Sequence, residues 1–203
     1  MKKEYRAMLK QLKKTTYASI RNNAKKYNLK TKHDAIFCVN ENMFLSIYIR
    51  AGVNENCFIC TCQEVIKPLW TDNLLWDILD CPENKNESIS LRAFGAFTFF
   101  GLETYSEKSV IENWSNEELE ICIEKYVKNF DERKKCYNTT FFEEKMNKDM
   151  YQGDLYNLLH LIHKKKYSDA YIFINKMDSD RFIIGNDGLR KLARVYCQRT
   201  ENI

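Results

Sequence analysis

Three cysteines lie close together in the segment Cys57-Phe-Ile-Cys60-Thr-Cys62. The segment contains C-x-x-C and C-x-C spacings, and thiolates at these spacings hold zinc or exchange disulfides. The neighbouring residues are mostly apolar, with no glycine or proline for a zinc knuckle and no helical pattern afterwards. Side chains alternate between the two faces of a strand, so Cys60 and Cys62 share one face and Cys57 takes the other. We therefore expect packing within a sheet, with metal binding or redox chemistry as the alternatives.

A second pair of metal-ligating residues, His160 and His163, has the i, i+3 spacing that brings two side chains to one helix face. No H-E-x-x-H motif and no carboxylate in a metalloprotease-like arrangement accompanies the pair. Zinc could combine these histidines with Cys60 and Cys62 only if the fold brought the two segments together. We expect two partly exposed histidines, no bound metal and no cofactor.

One arginine, Arg92, lies among apolar and aromatic residues in the segment SLRAFGAF. Burying an unpaired charge is costly, so we expect its guanidinium to have a carboxylate partner. The alternative is a site for an anion or another ligand. If the chain binds a small molecule, the candidate residues are aromatic and cationic side chains on or beside the predicted sheet, namely Tyr48, Arg50, Trp70 and Arg92.

The sequence lacks the local signatures of common enzyme classes. It has no G-x-S-x-G motif, no P-loop and no Rossmann glycine fingerprint. Asp178-Ser-Asp180 lacks the glycine and the distal glutamate of a calcium-binding loop, so we interpret it as a helix terminator. These observations favour a protein without catalytic activity, although catalysis by residues distant in sequence would leave no such signature.

The elements that must position these residues begin with a sheet. Residues 35–39, 43–51 and 57–66 are β-branched and aromatic and are separated by turn-like segments, which predicts three antiparallel strands. In the second strand one face is apolar and the other is mixed, as in a sheet with helices on one side. Residues 88–106 alternate in polarity and predict one or two further strands. Gly95 and Gly101 in this segment suggest a bulge or a close backbone approach.

Helical periodicity dominates the remaining segments. Residues 2–28 predict a helix whose apolar stripe begins with Tyr5, Met8, Leu9 and Leu12. Further helices are expected over 71–79, after 115, over 141–151, in a hairpin after 154 and from about 186. The expected N-caps are Thr71 or Asp72, Ser115 in a capping box with Glu118, Asp154 and Ser168.

These patterns predict an α+β fold with an N-terminal helix, an antiparallel sheet of four to five strands with helices on one face, and an all-helical C-terminal part. We expect residues 1–110 to form an α+β domain that contains the basic helix and the sheet. Residues 111–203 are expected to form a helical subdomain packed on it, or the two parts form one continuous domain.

The N-terminal helix has the most uneven charge in the chain. Residues 1–33 contain eleven basic residues and one acidic residue, so this segment carries +10 and the remainder −6 of the total +4. Such asymmetry attracts nucleic acid, an anionic membrane surface, an acidic protein or the chain's own acidic remainder. The expected basic surface comprises Lys10, Lys13, Lys14, Arg21, Lys25 and Lys26.

The composition suggests where the protein works. No apolar run approaches the roughly 20 residues that cross a bilayer, and no apolar signal region follows the basic N-terminus. We therefore expect a soluble cytoplasmic protein with free thiols. The abundance of Lys, Asn and Ile is typical of an AT-rich genome, and we expect a bacterial source.

Our leading hypothesis from the sequence is a small non-catalytic bacterial protein that binds another protein, of a regulatory or toxin-neutralising type. It depends on the lack of catalytic motifs, the uneven charge and the helical hairpin near the C-terminus. One alternative is a nucleic-acid-binding protein that uses residues 2–32. The other is an enzyme or ligand-binding protein with its site on the aromatic-rich sheet.

Overall fold

The computed structural model describes residues 2–54, 57–111, 115–146, 153–177 and 187–201. Asp178-Ser-Asp180 and the end of the helix predicted over 141–151 lie outside these residues. The described helices and strands are, in chain order, α1 (Lys2–Lys26), β1 (Lys30–Lys32), β2 (Ala35–Asn40), β3 (Met43–Asn54), β4 (Cys57–Pro68), α2 (Leu69–Ile78), α3 (Leu91–Phe94), β5 (Leu102–Ile111), α4 (Asn116–Arg133), α5 (Thr139–Met146), α6 (Gly153–His163), α7 (Tyr167–Lys176) and α8 (Leu189–Glu201), with 3-10 turns at Pro82–Asn86 and Lys134–Cys136.

The five strands form one antiparallel sheet in the order β1-β2-β3-β4-β5, which confirms the predicted α+β class. The three strands predicted in the first third of the chain are present and run one to three residues further than expected. The short edge strand β1 was not predicted, because its sequence Lys-Thr-Lys has no apolar alternation. This segment is a strand because its backbone pairs with β2.

The prediction of strands over residues 88–106 is wrong for residues 88–101. Residues 91–94 form the short helix α3, and the strand β5 begins only at Leu102. In this helix Arg92 forms an ion pair with Asp72 of α2. The close approach suggested by the glycines is present at Gly101, where φ is +91° and a Cβ atom would lie 2.7 Å from the carbonyl oxygen of Ile66.

Two helices, α1 and α4, contact each other, and both contact β3. The middle of α1 buries Leu12, Ile20 and Ala24. From α4 the buried residues are Leu119, Ile123, Tyr126, Val127 and Phe130. The helical period predicted these stripes correctly from Leu12 onwards, and burial of such stripes is the main stabilising contribution for helices of this kind.

Of the predicted N-caps, only Ser115 acts as expected. Its Oγ accepts a hydrogen bond from the backbone N–H of Glu118 at 3.0 Å. Thr71 instead donates its hydroxyl to the carbonyl oxygen of Pro68, and Asp72 is buried in an ion pair. Asp154 lies inside the first turn of α6, and α7 begins at Tyr167, before Ser168, without a side-chain cap.

Replacing the cap Ser115 by alanine is expected to lower the free energy of unfolding by about 1 kcal/mol, because one backbone N–H at the start of α4 loses its acceptor. Urea denaturation of Ser115→Ala measures the loss. Ser106→Ala, which changes an exposed serine on β5, is the matched control. Equal stability of the two variants would contradict the capping role.

The chain divides into two compact units. The first contains Met1–Ile66 and Gly101–Asn138, and thus includes α1, β1 to β3, most of β4, β5 and α4. The second contains Lys67–Phe100 and Thr139–Ile203, with α2, α3 and α5 to α8. The domain boundary that we expected near residue 110 stays a prediction.

Candidate functional site

At the start of α1, residues 3–8, 10 and 11 are exposed and Leu9 is half-buried. Tyr5 is 48% exposed and Met8 is 37% exposed, whereas Leu12, one turn further, is only 4% exposed. The apolar stripe predicted for α1 is therefore buried only from Leu12 onwards. Tyr5 and Met8 have the right spacing to continue the buried face of α1, but no part of the described chain covers them.

The predicted basic residues all lie exposed along α1. Lys26 is the one that pairs with a carboxylate, Glu124 on α4, at 2.9 Å. This hydrogen bond raises the pKa of Lys26 above its usual value. Within the described ranges, no ion pair involves the other five, Lys10, Lys13, Lys14, Arg21 and Lys25. The acidic remainder of the chain thus neutralises mainly the C-terminal end of the helix.

A cleft of about 390 Å³ lies between α1 and the sheet in the first unit. Lys13 contributes to one wall, with its Nζ 5.5 Å from the centre of the Tyr17 ring. Arg50 contributes to the other wall, where its Nε donates to Asp34 at 2.6 Å while 63% of its side chain stays exposed. The remaining lining residues are Leu9, Thr16, Ile49 and Ala51.

This cleft brings together residues from two separate predictions. Lys13 was predicted as part of the basic surface and Arg50 as part of a ligand site, and both line the same opening. Tyr48 lies next to Arg50, with the guanidinium carbon 5.7 Å from its ring centre. The arrangement offers the Lys13 ammonium, the Arg50–Asp34 ion pair, an aromatic ring and apolar side chains, which suits a ligand with both carboxylate and apolar groups.

The other two residues of the predicted ligand site belong to the second unit. Arg92 is 8% exposed and donates to Asp72 at 3.2 Å and to the Leu69 carbonyl at 3.0 Å. The guanidinium carbon also lies 4.8 Å from the centre of the Trp76 ring. Arg92 therefore has the carboxylate partner expected from the sequence. A ligand-binding role for Arg92 and Trp70 stays a prediction.

Asp72 connects Arg92 to a buried lysine that the sequence analysis did not single out. Lys67 is 2% exposed, and its Nζ donates to Asp72 at 3.0 Å and to the carbonyl oxygens of Arg92 and Phe99 at 2.9 and 2.6 Å. Burial lowers the pKa of Lys67 below 10.5, and the carboxylate of Asp72 opposes this shift. All three donors of the ammonium have acceptors, so the buried charge of Lys67 is fully paired within this cluster.

The predicted cysteine positions agree with the structure. Cys60 and Cys62 are buried on one face of β4, and Cys57 is half-buried. Burial raises the pKa of Cys62 to about 12, so its thiol stays protonated at neutral pH and is a poor metal ligand. No group of three or more His, Cys, Asp or Glu side chains in the described part of the chain could hold a metal ion.

The two histidines lie on α6 in the second unit. His163 stacks on Trp70 with ring centres 4.2 Å apart, and His160 lies within 3.4 Å of the Tyr156 hydroxyl. Burial and the charge of Lys164 lower the pKa of both histidines below 6.5. The pair is therefore mostly neutral at pH 7 and forms part of an aromatic cluster, and the expectation that it binds no metal ion stays a prediction.

The comparisons with known proteins complete the description of the site. Among the described residues, no helix is long and apolar enough to cross a membrane. No protein-family model, curated protein or solved structure matches the chain.

Proposed function

We propose that the protein binds another protein through the exposed half of α1 and the adjoining cleft. We call this region the docking surface and define it by Tyr5, Met8, Leu9, Lys13 and Arg50. The observation that carries the proposal is the apolar face of α1, which is buried from Leu12 onwards but reaches solvent at Tyr5 and Met8. A stable helix with an uncovered apolar face is typical of a recognition element.

The spacing of the apolar residues at the start of α1 supports a protein partner. Tyr5, Met8 and Leu9 occupy positions i, i+3 and i+4, which is the pattern of anchors that a helix inserts into an apolar groove. Tyrosine and methionine are both enriched at the centres of protein interfaces. Phosphate contacts alone would not require apolar side chains at these three positions.

The charge around these anchors specifies the chemistry of the partner. Lys10, Lys13 and Lys14 are exposed and form no ion pair within the described residues, so they can meet carboxylates at low desolvation cost. An acidic groove with an apolar floor is therefore the expected complement. A second copy of this chain is a poor occupant, because its α1 would bring the same positive charge to the contact.

The location expected from the sequence fits this proposal. All eight cysteines are free, as in a protein that works in a reducing cytoplasm. We therefore propose a cytoplasmic interaction protein of bacterial origin, in which the docking surface binds an acidic regulatory target or toxin.

Photo-crosslinking tests whether the docking surface contacts a protein. With benzoylphenylalanine at position 5, we expect a nuclease-resistant adduct with one polypeptide in cells. The same photoreactive residue at position 121 is the control, because Ile121 is 60% exposed on α4 in the same unit. Equal adducts from both positions, or an adduct that nuclease removes, would contradict the proposal.

Once the crosslinked partner has been identified and purified, titration with it measures how much the apolar anchors contribute to binding. The double variant Tyr5→Ala/Met8→Ala should raise the Kd about 30-fold, which corresponds to about 2 kcal/mol of lost apolar burial. Ile121→Ala should leave the Kd unchanged. An unchanged Kd in the double variant would contradict the proposed docking surface.

Nucleic-acid binding is the strongest competing function, because the unpaired cations of α1 also suit phosphates. Fluorescence anisotropy with a single-stranded RNA oligonucleotide separates the two functions. RNA binding that is lost in Lys10→Glu/Lys13→Glu but unchanged in Tyr5→Ala/Met8→Ala would favour nucleic acid and contradict protein docking. We expect weak RNA binding that disappears at physiological salt.

A further inference from the structure

The cleft between α1 and the sheet carries an unbalanced positive charge. Its charged lining residues are Lys13 on α1, Arg50 on β3 and Asp34 in the turn before β2. Asp34 forms an ion pair with Arg50 and so neutralises one of the two cations. One positive charge is left over at the cleft, and charge complementarity therefore favours a ligand with one negative group.

Hydrogen-bond donors for such a group remain on both walls of the cleft. The Nε of Arg50 donates to Asp34 at 2.6 Å, which occupies one edge of the guanidinium. Its Nη1 and Nη2 make no hydrogen bond to the residues that the structure describes. On the opposite wall, the Nζ of Lys13 lies 5.5 Å from the centre of the Tyr17 ring and has no carboxylate partner in the same part of the chain. A carboxylate can therefore accept hydrogen bonds from these cations without displacing an existing partner.

The uncharged part of the lining offers apolar contacts and no free donor from Thr16. The Oγ1 of Thr16 already donates to a carbonyl oxygen of its own helix at 2.8 Å. The other uncharged lining residues are apolar or aromatic, namely Leu9, Tyr17, Ile49 and Ala51. An apolar group that enters the cleft is removed from water by these side chains. The expected ligand thus combines one carboxylate with one apolar group.

The size of the cleft limits the ligand to a short piece of chain. Its volume of about 390 Å³ lies near the lower end of the range of ligand pockets, roughly 300–1,000 Å³. An internal aspartate or glutamate brings a carboxylate but no bulky apolar group. The last residue of a polypeptide carries a carboxylate and a side chain on the same α-carbon. An apolar C-terminal residue therefore supplies both groups within the available volume.

Leu9 connects the cleft to the helical anchors of the docking surface. It follows Tyr5 by four positions on α1, and it also lines the cleft. Side chains with this spacing are neighbours about 6 Å apart on a helix. A partner seated on Tyr5 and Met8 therefore lies about one helical turn from the cleft.

We propose that the cleft binds the C-terminal residue of the partner, with its carboxylate at Lys13 and Arg50 and its apolar side chain against Leu9 and Ile49. Our proposal rests on the proposed function, because it identifies which part of the partner enters the cleft. Capture of a terminal carboxylate is an established mode of peptide recognition. The remaining exposed lysines at the start of α1 stay available for the acidic groove of the partner.

Titration of the full chain with tripeptides, followed by NMR, tests the chemistry of the cleft before the partner is known. N-acetyl-Gly-Gly-Phe with a free carboxylate should bind about 10-fold more tightly than its carboxamide, because charge-assisted hydrogen bonds are stronger than neutral ones. N-acetyl-Gly-Gly-Gly with a free carboxylate should bind about 10-fold more weakly than the phenylalanine acid, because it buries no apolar side chain. Equal binding of the phenylalanine acid and its carboxamide, or of the two acids, would overturn the proposal.

Two cleft variants test where the carboxylate binds. Arg50→Gln and Lys13→Gln should each reduce the preference for the acid over the carboxamide, and both side chains are exposed, so the fold tolerates the changes. Lys108→Gln removes the same charge from an exposed position on β5 and should keep the full preference. A preference that persists in both cleft variants, or that falls equally in Lys108→Gln, would overturn the proposal.

Removal of the last residue of the partner, once crosslinking at position 5 has identified it, tests the source of the carboxylate. We expect the Kd to rise about 10-fold, which matches the loss of the carboxylate and its apolar side chain. An unchanged Kd, together with a preference for the acid tripeptide, would assign the cleft to a free small carboxylic acid and overturn the proposal. The crosslink at position 5 depends on the apolar anchors and not on the carboxylate. Failure of the C-terminal assignment therefore leaves the crosslink intact, whereas failure of the proposed function abolishes it.

Discussion

Replacing Asp72 by asparagine is expected to lower the free energy of unfolding by about 3–5 kcal/mol. Asp72 is fully buried, 3.0 Å from the Nζ of Lys67 and 3.2 Å from the Nη1 of Arg92. It also accepts a hydrogen bond from the backbone N–H of Phe99 at 2.8 Å. Asparagine preserves the side-chain volume but leaves two buried cations without a counter-charge. The lost free energy of unfolding therefore measures the electrostatic contribution of Asp72.

The pH dependence of this variant distinguishes lost charge from lost packing. Burial already lowers the pKa of Lys67, and without Asp72 this pKa falls further. In the variant, the unfolded chain keeps a proton on Lys67 that the folded chain has released. It does so over a wider pH range below 10.5 than in the wild type. Stability therefore rises with pH over a wider range in Asp72→Asn than in the wild type, and the deficit shrinks as the pH rises from the Lys67 pKa of the folded variant to that of the folded wild type.

Urea denaturation at several pH values gives both quantities. Asp80→Asn is the matched control, because Asp80 is exposed and its φ of 56° is well tolerated by asparagine. A deficit below about 1 kcal/mol at pH 7, or one that does not change with pH, would contradict the buried-charge argument.

The sequence predicted those parts of the fold that depend on local pattern. Alternation of apolar residues located β2, β3 and β4, and the capping box of Ser115 located the start of α4. The segment around Arg92 was predicted wrongly, and its arginine pairs with Asp72, which is 20 residues away in sequence. Local periodicity carries no information about such a pairing.

Prediction of the candidate sites is limited in the same way, because it also depends on contacts between residues that are distant in sequence. Helical spacing identified the stripe of Tyr5 and Met8 but could not tell whether the fold covers it, and this difference now carries the proposed function. The cleft likewise brings together Lys13 of α1 and Arg50 of β3, which the sequence assigned to two separate sites.

A second buried ion pair predicts a coupled loss of stability. Glu64 on β4 is fully buried and accepts hydrogen bonds from Arg133 on α4, with one distance of 3.1 Å to the arginine Nε. Tyr137 donates its hydroxyl to the same carboxylate at 2.8 Å, and burial, the main cause, raises the pKa of Tyr137 to about 12. The guanidinium carbon also lies 3.9 Å from the centre of the Tyr105 ring, which aligns it for two parallel bonds to the carboxylate.

Arg133→Met should therefore lower the free energy of unfolding by about 3 kcal/mol, because it leaves the Glu64 carboxylate buried without its cation. In the double variant Glu64→Leu/Arg133→Met, most of this loss should disappear, because an apolar pair of similar volume needs no counter-charge. Urea denaturation of both single variants and the double variant gives a coupling energy, expected at about 2 kcal/mol. Lys128→Met, at an exposed lysine of the same helix, is the control. The predicted coupling would be contradicted if the loss in the double variant equalled the sum of the losses in the two single variants. Glu64 and Arg133 would then stabilise the contact of α4 with the sheet independently, and their ion pair would not determine how this end of the helix packs.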